Sequence, residues 1–158
     1  MALRRTLKLY GPTALAGIIG ARFSRLLSSP CHLNDQDGSP KGSQWLGAYG
    51  EKVAATWLKS HGIKILARNF RGPRMGEVDI VARDKKLLLF IEVKTRRSNS
   101  RIRPYDAVNK HKQALIERGA NAWLKELRTR DLPWRFDIIE VHVDDGHAPE
   151  VNHIKDAF

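Results

Sequence analysis

The chain has 158 residues, of which 42% are apolar, a size and composition that suit one domain with a short appendage and exclude global disorder. Its single cysteine, Cys31, excludes an intrachain disulfide and a cysteine zinc cage, and fits a reducing, cytoplasmic setting. With 28 Lys+Arg against 17 Asp+Glu, the formal net charge of +11 creates a field that attracts polyanions: DNA, RNA or an anionic membrane surface.

Residues 1–43 read as a basic N-terminal extension and linker outside the core. Met1 to Asn34 contains no acidic residue, and Arg4, Arg5, Lys8, Arg22 and Arg25 flank an apolar stretch from Leu9 to Ala21. Pro12 and several glycines interrupt that stretch, which falls short of the roughly 20 residues a membrane span needs. Arg4-Arg5 faintly resembles a twin-arginine signal, but no A-x-A cleavage site follows. The polar run from Asn34 to Ser43, with Asp37-Gly38-Ser39-Pro40, is the linker.

From residue 44 to 158 the patterning predicts one domain. Ala48 to Ser60 has helical spacing, with Gly62 as its stop. Ile63–Phe70, Glu77–Arg83 and Leu87–Thr95 read as strands, the last two joined by a two-residue turn at Asp84-Lys85. Pro104 to Leu127 is the longest helical pattern, with Gly119 as a weak or bent point. Trp134 to Val143 is a strand, and Glu150 to Ile154 a short edge strand after the turn at Asp144-Asp145-Gly146. The order α-β-β-β-α-β is that of an α/β domain with a mixed sheet covered by helices.

The third strand carries the chemistry. Leu87 to Ile91 is wholly apolar, as expected of a strand buried on both faces, and Glu92 and Lys94 follow at its end. Charges there are costly without a partner or a job, and strand alternation puts both on one face. A turn at Asp84-Lys85 pairs Asp79 with Phe90, which sets Asp79 diagonal to Glu92 on that face; a one-residue slip reverses it. Two carboxylates and a lysine on one face suit Mg²⁺-dependent phosphodiester hydrolysis, because Mg²⁺ prefers carboxylate, water and phosphate oxygens. The competing reading is a surface ion pair of Glu92 with Lys94 or Arg96, since the spacing Asp79-x12-Glu92-x-Lys94 is weak alone. Glu51, in the first turn of the first helix, is either a fourth member or a carboxylate favoured by the helix dipole.

Arg68, Arg71, Arg74, Arg96, Arg97, Arg101 and Arg103, with Lys110 and Lys112, together read as a phosphate-binding surface around this site, although Arg101 and Arg103 individually read as solvated loop charge. Arg135 reads as an in-sheet partner of Asp137. His142, His147 and His153 surround a turn with irregular spacing and read as surface histidines, and the four tryptophans as core anchors.

Several motifs occur in order: Gly47-x-x-Gly50-Glu51, Arg68-Asn69-x-Arg71, Gly76-Glu77-Val78-Asp79-Ile80-Val81, Phe90-Ile91-Glu92-Val93-Lys94-Thr95-Arg96 and Arg135-Phe136-Asp137. Together they closely resemble the bacterial YraN family, which is similar in pattern to archaeal Holliday-junction resolvases and restriction endonucleases. The resemblance covers residues 44 to 158. It implies a restriction-endonuclease-like fold and active-site residues Glu51, Asp79, Glu92 and Lys94. It further implies Mg²⁺ or Mn²⁺ held by Asp79 and Glu92, a nucleic-acid substrate (DNA before RNA), and a homodimer. One departure is Val78, where such enzymes often have proline before the aspartate. Glu77 then reads as a substitute ligand or, preferably, as a residue closing the loop into the strand. The alternative function is a DNA- or RNA-binding module that keeps the nuclease fold without turnover. A third reading has the basic extension engage a membrane or a protein partner.

Overall fold

The computed structural model describes residues 25–98, 109–128 and 131–158. In chain order the elements are α1 (Ser43–Ser60), β1 (Lys64–Arg71), β2 (Glu77–Asp84), β3 (Leu87–Arg97), α2 (Lys110–Glu126), β4 (Trp134–Val143) and β5 (Glu150–Ile154). The strands form one sheet in the order β1-β2-β3-β4-β5. Neighbours pair antiparallel except β3 and β4, which run parallel. Parallel pairing requires a crossover, and α2 lies in that connection.

Each face of the sheet is covered by one helix. Val53, Ala54 and Leu58 of α1 pack with Ile80, Leu89, Ile91, Ile139 and Val141. On the opposite face, Ile116, Ala120 and Leu124 of α2 pack with Val81, Leu88, Phe90 and Phe136. Leu88 and Leu89 belong to different clusters, as do Phe90 and Ile91. The unbroken apolar run of β3 is thus buried on both faces, as its composition predicts. This is a mixed α/β sheet flanked by helices, of general restriction-endonuclease-like topology, in which Glu150–Ile154 forms the expected edge strand after the α-β-β-β-α-β elements.

Three expectations need correction. First, α1 begins at Ser43 rather than Ala48, because Trp45, Leu46 and Tyr49 continue its apolar face into the core. Glu51 therefore sits in mid-helix, where the N-terminal dipole argument does not apply. Second, the β2–β3 turn uses Lys85-Lys86, with Asp84 paired to Leu87. Both lysines stay exposed and Leu87 is kept in the strand. Moving the turn by one residue shifts the pairing by two, so the faces are unchanged. Third, part of the supposed non-core extension is in the core: Cys31 and Leu33 are buried against the α1 side. Cys31 N donates to His147 O, and Gly146 N donates to Cys31 O, which fastens this segment to the β4–β5 turn. The expected helix start at Pro104, and Arg101 and Arg103, lie outside the described residues.

Two glycines set how closely the helices approach the site. A Cβ on Gly50 would lie 1.7 Å from Thr95 Oγ1 and 2.8 Å from Thr95 Cβ, so α1 rests directly on β3 beside Lys94. Gly119 does not serve as a bend: its Cβ would lie 2.8 Å from Val78 Cγ2 and 3.0 Å from the Glu77 backbone, so α2 presses onto the start of β2. Gly50→Ala is expected to lower stability by about 1–3 kcal/mol, because the overlap involves the fixed Thr95 Cβ and forces a backbone shift. Urea denaturation measures it, and an unchanged midpoint would mean that α1 does not rest on Thr95.

Candidate metal and nucleic-acid site

The last ladder pair between β2 and β3 is Ile80 with Ile91. One residue further, Asp79 stands across from Glu92 rather than diagonal to it. Regular pairing stops there, and Asp79 Oδ2 accepts a hydrogen bond from Val93 N at 2.8 Å. The aspartate thus takes the place of a strand carbonyl and is held at one position.

Glu92 is 2% exposed. Its Oε1 accepts from Lys94 Nζ at 2.6 Å, so the expected pairing along the strand face is present. Its Oε2 lies 3.2 Å from Lys112 Nζ of α2. That contact is an ion pair without hydrogen-bond alignment, and Oε2 has no hydrogen-bond donor among the described residues. A surface ion pair does not describe this arrangement, since Glu92 is buried. Burial pushes the Asp79 carboxyl up, the neighbouring Glu92 charge and a hydrogen bond from protonated Asp79 to Glu92 push it further, and the Val93 hydrogen bond and Lys112 oppose the rise; the result is about 7. A buried and a half-buried carboxylate facing each other are an unfavourable arrangement that a proton or cation relieves.

Among the described residues, no three His, Cys, Asp or Glu side chains converge as a closed metal site. The donor set here is therefore two carboxylates, with one Glu92 oxygen lacking a donor. That set fits Mg²⁺ or Mn²⁺, hard ions that use one or two carboxylates and complete their shell with water and phosphate. It does not fit a structural zinc, which requires four protein ligands.

The other predicted residues surround this centre at varied distances. Glu51 takes Asn69 Nδ2 at 3.0 Å and Arg68 at 3.6 Å, which ties α1 to β1 rather than to the Asp79–Glu92 pair. Asn69 has a left-handed φ of 52°, a conformation asparagine tolerates better than most residues. Arg71 pairs with Glu77 at 3.3 Å and remains largely exposed. Arg74 is exposed in the β1–β2 loop, and Lys110 is exposed at the start of α2. Arg96 lies on the Glu92–Lys94 face, and its Nε is buried without a hydrogen-bond partner among the described residues. Arg97 is turned to the other face, where Nη2 donates to Lys41 O at 2.9 Å and braces the N-terminal segment.

Two further residues belong to the site region. Lys112, expected on an outer phosphate surface, reaches both Glu77 and Glu92. Its signal was the helical spacing to Gly119, seven residues on and so on the same face. Glu140, fully buried on β4, is the register partner of Lys94. Its Oε2 accepts from Asn152 at 3.1 Å, and its Oε1 has no hydrogen-bond partner among the described residues. A glutamate inside the apolar run Ile138 to Val143 was the available signal. Glu77 neither joins the Asp79–Glu92 pair directly nor closes the loop alone; it bridges Arg71 and Lys112, and the Lys112 hydrogen bond holds its carboxyl below the usual range.

The Arg135–Asp137 pair is present, with Nε to Oδ1 at 2.7 Å and Nη2 to Oδ2 at 3.1 Å. His153 is not a surface histidine: its Nε2 lies 2.7 Å from Asp137 Oδ2, and its ring packs edge-on to Trp57. Trp134 is 44% exposed, although its ring still packs against Phe90 and Phe136. No helix among the described residues is long and apolar enough to cross a membrane.

A mixed sheet between two helices, with an E-x-K strand face and a facing aspartate, defines an α/β protein of restriction-endonuclease-like architecture. The family model described as "Uncharacterised protein family UPF0102" matches residues 50–141, and the chain belongs to that family. A "UPF0102 protein" of Trichlorobacter lovleyi is 47% identical over 119 residues, 75% of this chain and 93% of the relative. One from Syntrophotalea carbinolica is 49% identical over 113 residues, 72% of this chain and 90% of the relative. One from Acetivibrio thermocellus is 39% identical over 130 residues, 80% of this chain and all of the relative. The YraN-type resemblance read from the ordered motifs is thereby borne out. The family match spans Glu51, Asp79, Glu92 and Lys94.

Proposed function

We propose that the protein is a nucleic-acid-binding, Mg²⁺- or Mn²⁺-dependent endonuclease that hydrolyses phosphodiester bonds in DNA, either selective for branched or structured DNA or only weakly specific. The observation that carries this reading is the facing Asp79–Glu92 pair, Glu92 buried and Asp79 half-buried, with Lys94 on one Glu92 oxygen and, among the described residues, no backbone or lysine hydrogen bond on the other. Asp79 and Glu92 would hold the divalent ion, whose chemistry is to polarise a phosphoryl oxygen and acidify a bound water. Lys94, anchored by Glu92, presents an ammonium to the attacking water or to charge building on the phosphoryl oxygens. Arg68, Arg71, Arg74, Arg96 and Lys110 supply positive charge around the same end of the sheet and orient the phosphate backbone. Glu51 joins at one remove, by holding Arg68 and Asn69. The preference for DNA and a homodimeric assembly rest on the resolvase-like resemblance.

Plasmid, single-stranded and four-way-junction DNA, incubated with Mg²⁺ or Mn²⁺, test the reading. Wild-type protein is expected to cut at least one of them, and Lys94→Ala to cut it roughly 100-fold more slowly or worse. Absence of cleavage of every substrate, or equal cleavage by Lys94→Ala, defeats the enzyme reading. Binding that survives Asp79→Ala and Glu92→Ala without cleavage would instead identify a binding module.

A further inference from the structure

Lys112 is held in place from two directions. Asn109 Oδ1 accepts from Lys112 N at 2.9 Å and caps the first turn of α2. Two helical turns further, Gly119 seats the same helix face against the backbone of Glu77. The side chain thereby reaches over the start of β2, with Nζ 2.5 Å from Glu77 Oε1 and 3.2 Å from Glu92 Oε2.

The two contacts differ in kind. The Glu77 contact is a hydrogen bond to a carboxylate that is 27% exposed. The Glu92 contact is unaligned and touches a carboxylate that is 2% exposed. Glu92 Oε1 already has its own ammonium in Lys94. Lys112 therefore stands at Oε2, the oxygen left for a divalent ion, while its firmer attachment is to a group nearer solvent. Two cations a few ångströms apart in a partly buried site repel each other, so the two occupancies compete.

We propose that Lys112 is a working member of this site: it is the resident counter-ion of the Asp79–Glu92 pair, it yields Glu92 to a divalent cation while remaining on Glu77, and its freed ammonium then faces the substrate phosphate. The inference rests on the metal-site reading above and adds to it a residue that competes for the same oxygen. A purely structural Lys112 would brace α2 against β2, and its ammonium would stay equally accessible whether or not a metal ion is bound.

Titration of the full chain with Mn²⁺, followed by calorimetry and by loss of the free-ion electron paramagnetic resonance signal, tests this. Lys112→Met is expected to bind Mn²⁺ roughly tenfold more tightly than wild type. Lys112→Gln provides the same comparison should the Met variant fold poorly. In wild-type protein, mass-spectrometric footprinting with an acetylating reagent is expected to show Lys112 several-fold more reactive when Mn²⁺ is bound. Equal or weaker Mn²⁺ binding by Lys112→Met and Lys112→Gln overturns the proposal. So does a Lys112 acetylation rate indifferent to Mn²⁺. In both cases a metal site that still binds Mn²⁺ and loses it in Asp79→Asn leaves the metal reading standing. If neither wild type nor the Lys112 variants bind Mn²⁺, both readings fall.

Discussion

Asp79→Asn is expected to stabilise the protein at pH 8 and at the same time to abolish any stabilisation by Mg²⁺ or Mn²⁺. The Asp79 carboxyl is raised from its ordinary value near 3.8 to about 7, first by burial and then by the Glu92 charge. Between those two values the folded protein retains a proton that the unfolded chain has released. Folded stability therefore falls as pH rises through this window, and the penalty is fully present above about pH 7. Asparagine removes that penalty while its side-chain oxygen can still accept from Val93 N. The gain should be on the order of 4 kcal/mol at pH 8, set by the rise from 3.8 to about 7, and vanish below about pH 4. Divalent ions that bind only the folded state should raise the wild-type melting temperature above pH 7, and not that of the variant. Thermal melts across pH, with and without Mn²⁺, read both effects. A variant less stable than wild type at pH 8 would show that the two carboxylates do not strain the fold.

The second large effect lies away from this site. Asp137 is fully buried and accepts from Arg135, His153 and Asp156 N. Burial alone would push its carboxyl up, but the hydrogen bonds from His153, Arg135 and Asp156 N, with the Arg135 charge, hold it below the usual range. Asp137→Ala is expected to lose about 3–5 kcal/mol at neutral pH, because it strands a partly buried guanidinium. The pH dependence runs opposite to that of Asp79. The stabilisation from Asp137 is present above the unfolded value near 3.8 and is lost as pH falls through the lower folded value. Urea denaturation at pH 7 and at progressively lower pH measures this; a loss under 1 kcal/mol would mean the network is dispensable.

These contrasting aspartates show what a one-dimensional pattern can and cannot convey. Arg135-x-Asp137 was legible as an in-sheet pair because two residues apart on a strand means one face. His153 was not legible as its third partner, since only the β4–β5 pairing brings Ile139 and His153 together. Likewise, Glu92-x-Lys94 needed nothing but strand alternation. The Asp79–Glu92 relation depended on the hairpin register, and it was robust because moving the turn by one residue changes the pairing by two. Glu51 shows the opposite case: the helix start was misplaced, since polar Ser43 and Gln44 hide the apolar continuation through Trp45, Leu46 and Tyr49.

By itself the sequence determined the alternation of β3, the burial of its apolar run, the family to which the ordered motifs belong, and the Glu92–Lys94 face. Those properties follow from local periodicity and from residue types at fixed spacing. Only the tertiary structure decided that Asp79 stands across from Glu92, that Glu51 turns to Arg68 and Asn69, and that Cys31 and Leu33 enter the core. It alone placed Lys112 between Glu77 and Glu92. The reason is that these contacts join segments distant in sequence. Their geometry is set by ladder register and by how closely Gly50 and Gly119 let the two helices approach the sheet.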